Sequence, residues 1–394
     1  MGDFVVSAVQ QQVKIYETPL AYQADMFRLL EMAQAKGAQL VVLPALSPLV
    51  LIPPLAARAK LGQLKKDQEG KSGLSGFFGK LLGKGPGSPK GASGVKEALI
   101  KLLDEYPGEI YDAYIDLFSA AALKHQMTIV AGSFYLREGE DAPPIHVSYV
   151  FGPDGMVLGR QEKIHPTNEE ESFCQAGEFL QAIDTPVGRL GILIQEDVLY
   201  PECGRILAYN GVEILINLTA TIGQPGHSQI RHAFLARVDE NGLLGAQSCL
   251  VGKNLFDLDG QKLVGRAALS QPFQLSPHGN GILAEVEEVN LEGLIARPMS
   301  IEGLKDYWAQ ARPQLRQRMH MAAYQPLVKA YRQQRTLDQV YWNPDAPDAG
   351  HGDNRGDEEG SDLSSTQSSS IHSIDTPTQS EANVLISPVT RDDD

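Results

Sequence analysis

At the end of a short apolar run, Gly191-Ile192-Leu193-Ile194, the chain places Gln195, followed by Glu196-Asp197-Val198-Leu199-Tyr200-Pro201-Glu202. The run from Leu190 to Ile194 suits a buried strand, and Pro201-Glu202 opens a helical stretch that continues through Arg205, Ile206 and Leu207. A residue at such a strand-to-helix turn projects its side chain to the sheet edge. There it lies near backbone N–H groups able to stabilise an oxyanion, which is the usual place of a nucleophile. Gln195 occupies that place, and a glutamine amide is neither acidic nor appreciably nucleophilic at neutral pH. Glu196, beside it, is the acidic group best placed to substitute.

The elements that must position these residues are legible on both sides of the turn. Val5 to Gln10 followed by a helical stretch, then Ala38-Gln39-Leu40-Val41-Val42-Leu43-Pro44-Ala45, has the pattern strand, helix, strand. Phe151-Gly152-Pro153-Asp154-Gly155 is followed by Gly159-Arg160-Gln161-Glu162 and then by Lys163, Ile164 and His165. Further on come Gly211-Val212-Glu213-Ile214-Leu215-Ile216-Asn217 and Ala236-Arg237-Val238-Asp239-Glu240-Asn241-Gly242.

In this order, the segments resemble the nitrilase superfamily of carbon-nitrogen hydrolases, over roughly residues 3 to 300. The nucleophile segment of that family reads G-x-x-I-C-x-D-x-x-x-P-E followed by an arginine. Gly191, Ile194, Asp197, Pro201, Glu202 and Arg205 fit it, with Gln195 in the place of the cysteine. Where the family writes L-P-E, this chain writes Leu43-Pro44-Ala45, and Lys163 matches the catalytic lysine. The resemblance implies an α/β fold, a four-layer α-β-β-α sandwich of the nitrilase type, over residues 1–300. It also implies a homodimer or higher homo-oligomer.

The family's chemistry uses a cysteine thiolate to attack a nitrile or amide carbon, a glutamate as general base and a lysine to stabilise the tetrahedral intermediate. This chain retains only Lys163. Loss of one member of such a set costs on the order of a thousandfold in rate, and loss of a second does not restore it. The leading expectation is therefore a catalytically inactive nitrilase-like protein that binds a small ligand or a protein partner, with Lys163, Gln195 and Glu196 lining the ligand site. Two alternatives stand beside it. One is an amide or nitrile hydrolase with a rebuilt site using Glu196 and Lys163. The other is a peripheral membrane scaffold.

At residue level Lys163 is either the remnant of a ligand pocket or a lysine paired structurally, and Glu196 either pairs with it or is solvated. Cys203, eight residues past Gln195 on the helix, is expected to point about two turns away from the elbow and to pack as a small apolar residue. Cys174 and Cys249 have no local base partner. His165 and Glu169 to Glu171 look like a solvated loop. No His, Cys, Asp and Glu spacing suggests a metal, and no cofactor is expected.

The 394 residues are 42% hydrophobic and 21% charged, ample for a large core. Met1-Gly2-Asp3-Phe4 leads directly into a strand, no run reaches transmembrane length, and three cysteines form no disulfide framework, so a reducing cytoplasm is the expected setting. Residues 58–96 form a basic Gly/Lys-rich insertion. Within it, Leu74 to Lys84 mixes Phe77, Phe78 and leucines with lysines, the composition of a weak anchor to an anionic membrane or of a protein-docking loop. Residues 301–342 read as a helical extension with apolar residues at three- and four-residue steps, including Leu304, Tyr307 and Trp308. Residues 343–394 read as an acidic, Ser-rich disordered tail carrying about ten of the fifteen net negative charges. An acidic balance of this kind gives no reason to expect a nucleic-acid partner.

Overall fold

Successive side chains on a strand point to opposite faces, so each apolar strand feeds two packing layers at once. In β2 (Leu40–Val42), Leu40 and Val42 join one apolar cluster, while Val41 and the following Leu43 join another. The same division recurs in β8 (Gly188–Ile194), where Ile192 and Ile194 face the cluster of Leu40 and Val42 and Leu193 faces a third. In β9 (Ile214–Thr219), Ile214, Ile216 and Leu218 face that shared cluster and Leu215 faces the third.

The computed structural model describes residues 3–14, 16, 19–48, 92–139, 142–254 and 261–310, which fall in a unit spanning Met1–Met319. The first half of the sheet is built on β1 (Phe4–Gln12), β2 and β3 (Thr128–Val130), which run parallel. β5 (Ile145–Phe151) lies antiparallel to β3, flanked by β4 (Phe134–Leu136) and β6 (Val157–Glu162). The second half is β8, β9 and β10 (Leu244–Lys253) in parallel, with β7 (Ile183–Thr185) antiparallel at the edge. The two halves join where Gln10–Gln12 of β1 pair with Cys249–Val251 of β10.

The helices cover the outer faces. α1 (Pro19–Ala35), α2 (Ala92–Glu105) and α3 (Pro107–His125) pack Leu29, Leu30, Leu102 and Phe118 against Val41, Leu43 and Ile129. α4 (Pro201–Tyr209) and α5 (Gly223–Asn241) pack Leu207, Phe234 and Val238 against Leu193 and Leu215. Between the two halves lies the inner cluster of Val6, Ala8, Val42, Ile192, Ile194 and Ile216. Helices, sheet, sheet, helices is the expected α-β-β-α sandwich. The runs β8–α4–β9 and β9–α5–β10 are the helical crossovers that parallel strands require.

The remaining strands are short. β11 (Lys262–Leu263) pairs with the end of β10, β12 (Ala268–Ser270) pairs with β10 and with β13 (Ile282–Glu285), and β14 (Gly293–Met299) runs antiparallel to β1. α6 (Ile301–Gln310) begins the C-terminal extension. It buries Ile301 and Leu304 in the inner cluster, and Trp308 donates its Nε1–H to the Gly242 carbonyl, so this part of the stripe is covered by its own domain. The rest of the expected C-terminal extension, the expected tail, and the expected insertion through residue 91 lie outside the described residues. The expected C-terminal boundary of the insertion at 96 overlaps α2, whose helix already begins at Ala92.

Gly191 shows why the segment before the turn needs a glycine. A Cβ there would stand 2.8 Å from Val212 Cγ2 and 3.1 Å from both Leu207 methyls, so α4 closes onto β8 only because the position is bare. Gly191→Val is expected to destabilise the protein by about 1–3 kcal/mol through overpacking. A lowered urea midpoint at unchanged slope checks it.

Candidate functional site

β8 ends at Ile194, and the chain turns through a 3-10 helix, Gln195–Leu199, before Pro201 starts α4. Gln195 takes φ of 52°, a left-handed conformation that costs a non-glycine residue on the order of 1–3 kcal/mol and persists only where the surroundings enforce it. Several groups enforce it. Asp197, buried, accepts the N–H of His165 at 2.8 Å and of Ile164 at 3.2 Å, tying the turn to the end of β6. Asn217, at β9, donates its amide to the Leu193 carbonyl at 3.1 Å and the Gln195 carbonyl at 3.4 Å. Arg237, from α5, donates its Nε–H to the Val198 carbonyl at 3.2 Å.

Lys163 follows β6 and is held by its own N–H, which donates to the His146 carbonyl at 2.7 Å. Its side chain is 1% exposed. An ammonium has three N–H donors and no acceptor. Here Nζ donates to Glu170 Oε2 at 2.7 Å, Gln195 Oε1 at 2.9 Å and Glu196 Oε2 at 2.6 Å, so each donor has a protein oxygen. Burial works against the charge, but Glu196 and Glu170 outweigh it and hold the lysine above its ordinary pKa. A ligand reaching this ammonium has to displace Gln195 or one of the glutamates.

Glu170 corrects the expectation of a solvated loop at Glu169 to Glu171. Its carboxylate is buried and accepts four hydrogen bonds, from Tyr135 Oη at 2.8 Å, His146 Nδ1 at 2.8 Å, Lys163 Nζ at 2.7 Å and the Thr167 N–H at 2.8 Å. Burial raises its pKa, and His146 and Lys163 together overcome that and hold the carboxyl far below the ordinary range. The other ring nitrogen of His146 meets Ser133 Oγ at 2.9 Å. Sequence reasoning missed Glu170, His146, Ser133 and Tyr135. The seven-residue interval from Lys163 does not separate Glu170 from its two acidic neighbours.

Glu196 does pair with Lys163, while its side chain stays 41% exposed. Ala45 is fully buried in the inner cluster, on the turn after β2 where Leu46 takes φ of 56°. The Leu46 N–H donates to the Ser133 carbonyl at 2.8 Å, so the Ala45 turn reaches the lysine centre through Ser133 and His146. His165 hydrogen-bonds Asp197 at 3.1 Å through Nδ1 and stacks on Tyr200 with ring centroids 3.5 Å apart.

Burial disfavours the thiolate form of all three cysteines. Cys203 does not point away from the turn: its Sγ lies 3.8 Å from His165 Nδ1. It is nevertheless buried, and burial with the nearby charge of Asp197 pushes its pKa up to about 12. Burial likewise pushes Cys174 up to about 12 and Cys249 up to about 11. Among the described residues no group of His, Cys, Asp and Glu could hold a metal ion, and no helix is long and apolar enough to cross a membrane.

Comparison with known proteins places this geometry among relatives. The carbon-nitrogen hydrolase family model matches residues 6–272. The probable hydrolase YhcX of Bacillus subtilis is 28% identical over 200 residues, which is 50% of this chain and 38% of that protein. Human omega-amidase NIT2 is 29% identical over 126 residues, 29% of this chain and 45% of that one. The chain thus spans less than half the length of these curated relatives. The crystal structure of a carbon-nitrogen hydrolase from Helicobacter pylori superposes with a TM-score of 0.61 at 21% identity, covering 83% of this chain and 99% of the other.

Two measurements follow from the geometry. Lys163→Met leaves Glu170 buried without its cation and is expected to cost about 3–5 kcal/mol, whereas Glu196→Gln, at a partly exposed pair, should cost about 0–1 kcal/mol. Chemical denaturation of both variants checks the contrast. Iodoacetamide at neutral pH should leave all three cysteines of the folded protein unmodified and alkylate them after unfolding, as read by mass spectrometry.

Proposed function

The chain belongs to the carbon-nitrogen hydrolase family, and we propose that it is a member without catalytic activity, acting by binding a small ligand or a protein partner. The observation that supports this reading is the occupancy of Lys163. The ammonium that would stabilise a tetrahedral intermediate spends its three N–H donors on Glu170, Gln195 and Glu196. Gln195 directs its amide oxygen to that ammonium, and the amide nitrogen has no available lone pair for attack. The methyl group of Ala45 has no proton to exchange. Covalent acyl transfer needs an attacking nucleophile, and neither Gln195 nor Ala45 supplies one.

A second reading is favoured by one feature. Glu196 is a carboxylate 2.6 Å from Lys163 with 41% of its side chain exposed, so it has both a cation and access to water. In that reading Glu196 would take a proton from water attacking an amide or nitrile carbon, with Lys163 holding the developing oxyanion. The membrane-scaffold reading depends on residues 58–96, nearly all of them outside the described residues.

A panel of aliphatic amides, ω-amides of dicarboxylic acids and nitriles, assayed for ammonia release, separates the first two. The expected result is release indistinguishable from buffer. Turnover by the wild type that falls about a hundredfold in both Glu196→Gln and Lys163→Ala would overturn the non-catalytic reading in favour of the rebuilt hydrolase.

A further inference from the structure

Matching donors to acceptors around Lys163 shows where hydrogen-bonding capacity is left over. Lys163 spends all three N–H donors, and Glu170 accepts two hydrogen bonds on each of its oxygens. Both ring nitrogens of His146 are engaged, one by Glu170 and the other by Ser133. Two atoms next to the ammonium stay unspent. Glu196 gives Oε2 to Lys163, and its Oε1 meets no donor among the described residues. Gln195 gives Oε1 to Lys163, which fixes the orientation of the amide because an ammonium only donates, and its Nε2 meets no acceptor among the described residues.

These two atoms converge and are open. The oxygens that Gln195 and Glu196 give to Lys163 lie 2.9 Å and 2.6 Å from the same Nζ, so both side chains are pinned at one point. Their free atoms do not hydrogen-bond each other. Gln195 is 9% exposed, so its unspent donor belongs to a side chain otherwise enclosed, whereas Glu196 keeps 41% of its side chain in solvent. Neither atom belongs to the described side-chain groups that are both sealed from solvent and unpaired, so each can be reached from outside. An anion arriving here finds no donor left on Lys163 and meets an exposed carboxylate of its own sign. A cation that donates to Glu196 gains a charge-assisted hydrogen bond without displacing any group already bound to Lys163.

We infer that Gln195 and Glu196 form a binding site for a primary ammonium compound that carries an oxygen acceptor close to its nitrogen, as in an amino alcohol. The ammonium donates to Glu196 Oε1 and the neighbouring oxygen accepts from Gln195 Nε2, so one small molecule uses both unspent atoms. Lys163 contributes by holding the two side chains in place and not by touching the ligand. The inference names a ligand class for the non-catalytic, ligand-binding reading and rests on that reading.

Ethanolamine is the probe, with ethylamine lacking the oxygen and glycolate carrying the opposite charge, each titrated into the full chain by ligand-observed NMR with thermal unfolding in parallel. The expected result is saturable ethanolamine binding at millimolar concentration that raises Tm, severalfold weaker binding of ethylamine, and none of glycolate. Glu196→Gln keeps the shape of the side chain but not its charge and should weaken ethanolamine about tenfold or more. Gln195→Met removes the donor and should weaken ethanolamine while leaving ethylamine unchanged, so the preference between the two amines disappears; a variant that merely unfolds loses both. No saturation by ethanolamine, unchanged affinity in Glu196→Gln, or glycolate binding as tight as ethanolamine sinks the inference and leaves the non-catalytic reading standing. Ammonia release by the same preparation on the amide and nitrile panel sinks that reading whether or not ethanolamine binds.

Discussion

The structure turns on a buried ammonium. Moving a lysine charge out of water costs several kcal/mol, and the cost is recovered only if good acceptors surround it. Lys163 meets this condition with two carboxylates and an amide oxygen. Those partners depend on further groups, since the Glu170 charge is shared with His146, Tyr135 and the Thr167 N–H. Once such a network exists, its lysine is kept for folding whatever becomes of the chemistry. Removing it alone strands Glu170, so the lysine can outlast the nucleophile and base that the family resemblance associates with it.

The same reasoning applies to Ala45 and Gln195, the positions that the resemblance matches to the family's base and nucleophile. Ala45 contributes a methyl group to the inter-sheet core, where a carboxylate would have to be paired. The second negative charge at the lysine comes from Glu196, next to the elbow. Gln195 stands in the turn with an oxygen that accepts from Lys163 and requires no charge of its own. The strained elbow is retained because Asp197 ties the turn itself to the chain after β6, and Asn217 and Arg237 fasten its backbone from β9 and α5, and none of them depends on what residue 195 carries.

Much of this was legible in advance. The strand, helix and hairpin order placed Lys163 after β6 and Gln195 after β8, and the alternation of Ile192, Leu193 and Ile194 fits a strand buried on both faces. Motif residues that look like a catalytic signature prove to be braces. Asp197 caps a loop, Gly191 admits α4, Arg237 holds a carbonyl and Gly242 closes α5 in a left-handed cap. The errors lay in loops. Glu170 stands between two other glutamates, and only the path of the chain from Thr167 to Cys174 turns it inward. Cys203 was expected far from the elbow because helical spacing counts turns along one axis, whereas His165 approaches it from the loop after β6.

The sequence by itself determined the family and the four-layer sandwich, and it carries no thiol or carboxylate at Gln195 and Ala45, the positions that the resemblance matches to the family's nucleophile and base. Residue identities and hydrophobic period suffice for those, because they are local properties repeated along the chain. Tertiary structure alone decided how the surviving charges are spent. Whether Lys163 is open to a ligand or closed by Glu170, Gln195 and Glu196 depends on distances between segments many residues apart. Electrostatic energy varies with those distances and with burial, and neither is encoded in spacing along the chain.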